Sequence, residues 1–223
     1  MKTVEFSLAG ETLTALGSGA LWWGAHNLLC VSDLHLGKSE RILRKGGGHL
    51  PPYDVQDTLI RLENDLRQTG AENVVCLGDS FDDLAAADAL PEQATDWILR
   101  LQAGRRWVWI EGNHDPGPLD LPGSHLAELL TPPLTFRHIA QPGQSGEISG
   151  HYHPKISVQT RLRRISRPAF LFDSDRVILP AYGTYTGGLR SSDPALAGLM
   201  RRTAYAITTG QTPRMISLSQ TAT

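Results

Sequence analysis

The sequence predicts an α/β fold on three observations. Strand and helix patterns alternate from the N-terminus to about Asp115, and the strands NLLCV, NVVCL and WVWI are unbroken apolar runs suited to burial on both faces. After about Leu130 the helical periodicity gives way to short strands between Gly and Pro turns.

From the N-terminus, TVEFSLAG and ETLTALG alternate apolar and polar residues around a Gly-Glu turn and predict a hairpin; ALWWG and NLLCVSD predict two more strands. Residues Tyr53 to Gly70 set Val55, Leu59, Leu62 and Leu66 at helical spacing and close on a glycine suited to a left-handed helix end. NVVCLGD is the next strand, Pro91 to Ala103 a helix with Pro and acids in its first turn, and RRWVWIEGNHD a third buried strand. The β-α-β-α-β order predicts parallel pairing. RILRK falls in a Gly-rich loop and SHLAELL reads as a helical turn. Beyond it, TFRHIA, GEISGHYHP, SVQTRLRRI, PAFLFD and RVILPAYG read as strands that add a second sheet or extend the first. No linker rich in Gly, Ser or Pro divides the chain, so residues 1–223 read as a single domain.

Composition excludes several classes. With 40% hydrophobic and 20% charged residues, 22 Gly and 14 Pro, the chain is neither disordered, collagen-like nor a coiled coil. Its 21 Lys and Arg against 23 Asp and Glu give a net charge of -2, so a polyanionic partner must be held locally. Two cysteines, Cys30 and Cys76, lie within apolar runs and suit buried thiols in a reducing compartment. No signal-peptide core and no run of about 20 apolar residues is present, and a cytoplasmic location without membrane contact is expected.

The polar residues concentrate at predicted strand ends: Asp33 and His35 after NLLCV, Asp79 after NVVCL, Asn113, His114 and Asp115 after WVWI, and His151 and His153 after EIS. In α/β sheets, ligands bind at such ends. Extended spacing by two would put Asp33 beside His35, and His151 beside His153, on one face. Carboxylate, amide and imidazole donors without thiolate suit Mn, Fe, Zn or Co. There are more donors than one ion needs, which favours two ions bridged by a carboxylate, and Asp79 on the central strand is the natural bridge.

The motifs D-x-H, G-D, G-N-H-D and G-H-x-H, in this order, resemble the calcineurin-like metallophosphoesterase superfamily. VSDLHLGKSE, GHYHP and ILPAYGTYTGGL are further similar to its ligase-associated DNA damage response endonuclease family. The resemblance implies a two-sheet β-sandwich flanked by α-helices. It implies one metal held by Asp33, His35, Asp79 and His153, and a second held by Asp79, Asn113, His151 and a further histidine. His125 and His138 are the candidates, and the strand-end position favours His138. The metals expected are two divalent ions, Mn2+ first. A hydroxide between them would attack the phosphodiester while His114 protonates the leaving alkoxide. Asp115 either orients the His114 imidazole or caps a helix, and the roles of Asp82 and Asp83 stay open.

DNA, single-stranded or flexible, is the implied substrate, with functional association to a repair ligase, helicase and exonuclease. Arg41 and Arg44 after the first motif, and Arg161 and Arg163 after the last, are candidate phosphate contacts; a plain solvated face is the alternative for the second set. Tyr152, Tyr182 and Tyr185 either stack on bases or serve packing and hydrogen bonding. The competing enzymatic reading is a phosphatase or phosphodiesterase for a nucleotide, small-molecule or lipid-linked phosphoester, which the same metal pair would serve.

Overall fold

In the computed structural model, which describes residues 2–118, 120–159 and 163–218, two sheets face each other and helices cover the outer side of the first. The first half contains β1 (Thr3–Leu8), β2 (Glu11–Leu16), β3 (Leu21–Trp23), β4 (Leu28–Val31), α1 (Lys38–Arg44), α2 (Asp54–Thr69), β5 (Asn73–Leu77), α3 (Leu84–Asp88), α4 (Glu92–Gln102), β6 (Arg106–Ile110) and β7 (Ser124–Leu126). Its seven strands pair in chain order, antiparallel from β1 to β4 and parallel from β4 to β7.

The second half adds β8 (Glu128–Thr131), β9 (Leu134–Arg137), β10 (Glu147–Ser149), β11 (Lys155–Gln159), β12 (Arg164–Phe172), β13 (Arg176–Ile178), α5 (Pro194–Ala197), β14 (Tyr205–Thr208) and β15 (Met215–Ser217). This sheet runs β15-β14-β12-β13-β10-β9-β8, with β11 paired to β12. A second sheet is thus added rather than the first extended.

The apolar runs of the central strands explain the layering. In β4, β5 and β6 one set of side chains (Leu28, Cys30, Val75, Leu77, Val108, Ile110) meets Phe136, Ile148 and Phe170 of the opposite sheet. The alternate set (Leu29, Val31, Val74, Cys76, Trp107, Trp109) meets Leu59, Leu62 and Leu66 of α2 and Ile98 and Leu101 of α4. Period-two alternation gives each strand two apolar faces, and each fully buried Phe or Leu contributes about 1.5–3 kcal/mol. Helix α2 ends at Gly70 in the left-handed region, φ 67°, as its sequence predicts.

Three local expectations are corrected. RILRK is not loop: Arg41 and Arg44 lie on α1, which starts after a left-handed Gly37 and whose Ser39 backbone N–H and hydroxyl both donate to Asp54. SHLAELL is not helical; it supplies edge strands of both sheets, β7 beside β6 and β8 beside β9, because open strand edges outcompete a marginal helix turn. SVQTRLRRI is not one strand, since β11 closes at Gln159 and β12 runs from Arg164 through PAFLF as the long partner of β11 and β14. No helix among the described residues is long and apolar enough to cross a membrane.

Candidate metal centre

The parallel register Val31↔Cys76 carries β4 and β5 to the same level, and the loops beyond them stay zipped. The N–H of Asp33 donates to Gly78 O (3.3 Å), that of His35 to Asp79 O (2.9 Å) and that of Leu36 to Ser80 O (2.9 Å). The chain is not extended here, as the spacing argument had it. Asp33, His35, Asp79, His151 and His153 all have positive φ, 52°, 42°, 46°, 70° and 47°. Such backbone is uncommon away from glycine and persists where surrounding contacts over-determine it.

The second sheet closes the site from the other side. His138 follows β9 and His151 follows β10, whose parallel pairing brings Gly150 N–H onto His138 O at 3.0 Å. A Cβ on Gly150 would lie 1.7 Å from Ser32 Oγ, and one on Gly112 2.1 Å from the Asp79 amide nitrogen. The glycine of G-H-x-H is therefore where the two sheets' loops interlock, and that of G-N-H-D is where the loop after β6 closes on the loop after β5. The His151 N–H donates to the Asp33 carboxylate, 3.0 Å to Oδ2, and the His114 N–H to Asp79 Oδ1, 2.8 Å.

Two groups of donors converge. In the first, His153 Nε2 is 3.1 Å from Asp33 Oδ1 and 3.4 Å from His35 Nε2. In the second, His138 Nε2 is 3.4 Å from Asp79 Oδ2, 3.0 Å from Asn113 Oδ1 and 3.2 Å from His151 Nδ1. Asp79 Oδ2 also lies 3.9 Å from His35 Nε2, between the groups. Imidazole nitrogens facing one another suit a shared cation, and the far nitrogens of two of these rings are already engaged: His138 Nδ1 donates to Leu77 O (2.7 Å) and His35 Nδ1 pairs with Asp82 Oδ1 at 2.8 Å. This is the outer-sphere arrangement that fixes the tautomer of a metal-ligating histidine. The donor set thus fits divalent ions.

Electrostatics agree with anionic oxygens and cation-ready nitrogens. Burial would raise Asp79, but hydrogen bonding and attraction from His138, with the His114 amide, hold it at about 2. Burial would likewise raise Asp33, but hydrogen bonding and attraction from His153, with His138 and Ser32, lower it. His138 would fall on burial yet is raised by Asp79 and Asp33, and His151 is lowered by burial and by His138.

Asp82, His35 and His114 form a third convergence. The Asp82 carboxylate is already compensated by Lys38 Nζ (3.0 Å) and Arg41 Nη1 (2.9 Å), so it serves as counter-ion and orienter of His35 rather than as a cation site. Its carbonyl accepts from His114 Nδ1 at 2.8 Å and leaves Nε2 of that ring for other chemistry. Asp83 caps α3 by accepting from the Ala86 N–H at 2.8 Å.

Asp115 neither orients the His114 imidazole nor caps a helix. Its buried carboxylate accepts from the Ser80 and Phe81 N–H groups at 2.7 and 3.1 Å and so braces the loop carrying Asp79; burial and the Asp79 charge raise it to about 6. Arg41 and Arg44 are engaged within the protein, Arg41 with Asp82 and Asp83 and Arg44 with Glu40 and Asp83. Arg163 is exposed at the start of the long strand, and Arg161 lies outside the described residues. His125 sits on β7, its Nε2 3.1 Å from Leu121 O, apart from both donor groups.

One element of the site went unread in the sequence. After β13 the chain crosses both metal-loop backbones: Tyr182 N–H donates to Ser32 O (2.8 Å), Gly183 N–H to Asp33 O (3.0 Å) and Leu189 N–H to Tyr152 O (3.2 Å). This strap is pinned by Tyr182, fully buried, whose hydroxyl donates to Asp65 Oδ2 at 2.8 Å, and by Arg61 on its carbonyl. Tyr182 is therefore a packing and hydrogen-bonding residue, not a stacking platform. The only sequence signal was the motif ILPAYGTYTGGL, which carried no role.

Residues 26–185 match the model of the calcineurin-like phosphoesterase family. Among solved structures, the crystal structure of Pseudomonas putida nuclease MPE superposes with a TM-score of 0.77 at 26% identity, covering 96% of this chain and 100% of that one. No curated protein matches the sequence.

Proposed function

The chain belongs to the calcineurin-like phosphoesterase family and is a metal-dependent phosphoesterase; on that premise we propose that it is an endonuclease cleaving single-stranded or flexible DNA. The observation that supports this most is the meeting of two His/Asp donor groups, Asp33, His35 and His153 in one and Asp79, His138 and His151 in the other, each drawn from both sheets, with Asp79 between them. Likeness in fold to a nuclease over the whole of its length favours a nucleic-acid phosphodiester over a small phosphoester.

Asp33, His35, Asp79 and His153 would hold one divalent ion, and Asp79, Asn113, His138 and His151 the other, with Mn2+ the preferred metal for this oxygen and imidazole set. Bound there, such ions supply Lewis-acid neutralisation of phosphate oxygens and a water acidified toward neutrality. The protein's own part is positioning and proton transfer. His114, fixed through Nδ1 by the Asp82 carbonyl, presents Nε2 to protonate the departing alkoxide as general acid. Asp115 braces the loop that presents Asp79, and Asp82 keeps His35 Nε2 free of its proton. Residues 1–223 act as one domain in this reading, because each half supplies part of the site. A cytoplasmic setting, suited to two free buried cysteines, and pathway association with a repair ligase, helicase and exonuclease complete it.

The test is cleavage of circular single-stranded DNA across a series of divalent metals, beside a chromogenic diester and monoester, with Asp79→Ala as blank. Linearisation and fragmentation that depend on metal and on Asp79 are expected. Hydrolysis of the small esters with the circle left intact would favour the small-molecule phosphoesterase instead.

A further inference from the structure

The near-neutral whole-chain charge conceals a division. From Gly150 onward the sequence has ten Lys and Arg against three Asp, whereas the residues before it have 11 against 20 Asp and Glu. A basic region of this kind on one part of a surface is the electrostatic footprint of a nucleic-acid partner.

On the outer face of the second sheet this basic half encloses a groove of about 650 Å³. Its floor is apolar, built from Val158 on β11, Ile165 on β12 and Ile216 on β15, where the cross-strand register Val158↔Ile165 sets the first two side by side. Its walls carry Arg167 and, across the turn between β14 and β15, Arg214. A Cβ on Gly210 of that turn would lie 4.0 Å from Arg167 Nη1, so the guanidinium reaches the opposite wall. Both arginines are exposed, and among the described residues neither forms an ion pair with a carboxylate, unlike Arg41, Arg44, Arg137, Arg176 and Arg201.

The groove is continuous in chain with the metal centre. Strand β11 starts at Lys155, two positions after His153, and Val158 lies about 16 Å along extended chain from that histidine. A strand whose scissile phosphodiester sits at the metals would reach the groove within a few nucleotides.

We propose that this groove binds the single-stranded DNA flanking the cleavage point, with Arg167 and Arg214 on its phosphates and the Val158, Ile165 and Ile216 floor against sugars and base faces. The groove is remote from the chemistry, so it contributes affinity for long substrates and nothing to the turnover of small ones. The proposal rests on the nuclease reading above, and its test separates the two.

Steady-state kinetics of wild type and the double variant Arg167→Ala/Arg214→Ala are compared on a long single-stranded DNA and on bis(p-nitrophenyl) phosphate, with the DNA series repeated over a range of salt. The variant should show KM for DNA raised about tenfold and a log-log salt slope shallower by about 1.4, the loss of two single-strand phosphate contacts. Its hydrolysis of the small diester should equal wild type. If wild type cleaves DNA and the variant keeps the same KM and salt slope, the groove is not a binding site. A parallel fall in small-diester hydrolysis would also overturn the proposal, because the arginines would then serve the fold. Wild type that hydrolyses the diester and leaves DNA intact would sink the nuclease reading, and the groove's role with it.

Discussion

Replacing Asp82 by Asn should weaken divalent-cation binding by about 10- to 100-fold while leaving the chain folded, the range typical of lost outer-sphere partners. The carboxylate is wholly buried, 2.8 Å from His35 Nδ1, 3.0 Å from Lys38 and 2.9 Å from Arg41. The amide keeps the volume but removes the charge that holds the His35 proton on Nδ1. Losing one charge-assisted hydrogen bond costs about 1.5–3 kcal/mol, and at 1.4 kcal/mol per decade that alone gives roughly 10- to 150-fold. Lys38, left uncompensated, and Arg41, left with Asp83 alone, add repulsion toward an incoming cation in the same direction. Titration calorimetry with Mn2+ reads the affinity, and circular dichroism reads the fold. Native ellipticity with wild-type affinity would refute the assignment of Asp82 as the group that orients His35.

Other outcomes follow from the same geometry. His114→Ala should lower the turnover of a diester with a poor leaving group by about 10²–10⁴ while metal content stays at the wild-type level; intact cleavage with impaired metal binding would mean the role is misassigned. Gly150→Ala should lose both stability and metal binding, since its Cβ would lie 1.7 Å from Ser32 Oγ, and a wild-type melting temperature would contradict the interlock of the two sheets. Tyr182→Phe should destabilise by about 1–3 kcal/mol in urea, with a pH dependence of known sign. Burial raises Asp65 above its unfolded pKa of about 3.9, so Asp65 contributes most to stability below that value and loses contribution as pH rises through the folded pKa. The tyrosine hydroxyl opposes that rise, so the cost of Tyr182→Phe should be small at pH 3.5 and larger at pH 7; equal costs at both would exclude this coupling.

The parts of the fold that were legible in the sequence are those with strong local periodicity. NLLCV, NVVCL and WVWI are apolar on both faces because β4, β5 and β6 are sandwiched between a sheet and a helix layer, and α2 announces itself through Leu59, Leu62, Leu66 and Gly70. Elements decided by tertiary contact were not legible. SHLAELL forms edge strands because β6 and β9 offer unpaired neighbours, and α1 is fixed by Asp54 at the start of α2, neither of which a local pattern records. In the same way, Asp33, His35, Asp79, His151 and His153 could be picked out by residue type and strand-end position, whereas their left-handed backbone could not. The strap from Tyr182 to Leu189 was invisible because it acts through backbone groups and through glycines that admit close approach. Arg41 and Arg44 looked available to substrate because sequence shows charge without its partners, and Asp82 and Asp83 lie some forty residues away.

The most direct measurement is the metal content of the dialysed protein, wild type and Asp79→Ala, by mass spectrometry of the elements, taken together with cleavage of circular single-stranded DNA by the same samples. Two divalent ions per wild-type chain are expected, with loss of bound metal and of cleavage in Asp79→Ala. A single ion in wild type, or an Asp79→Ala protein that still cuts the circle, would contradict a dinuclear centre bridged by Asp79.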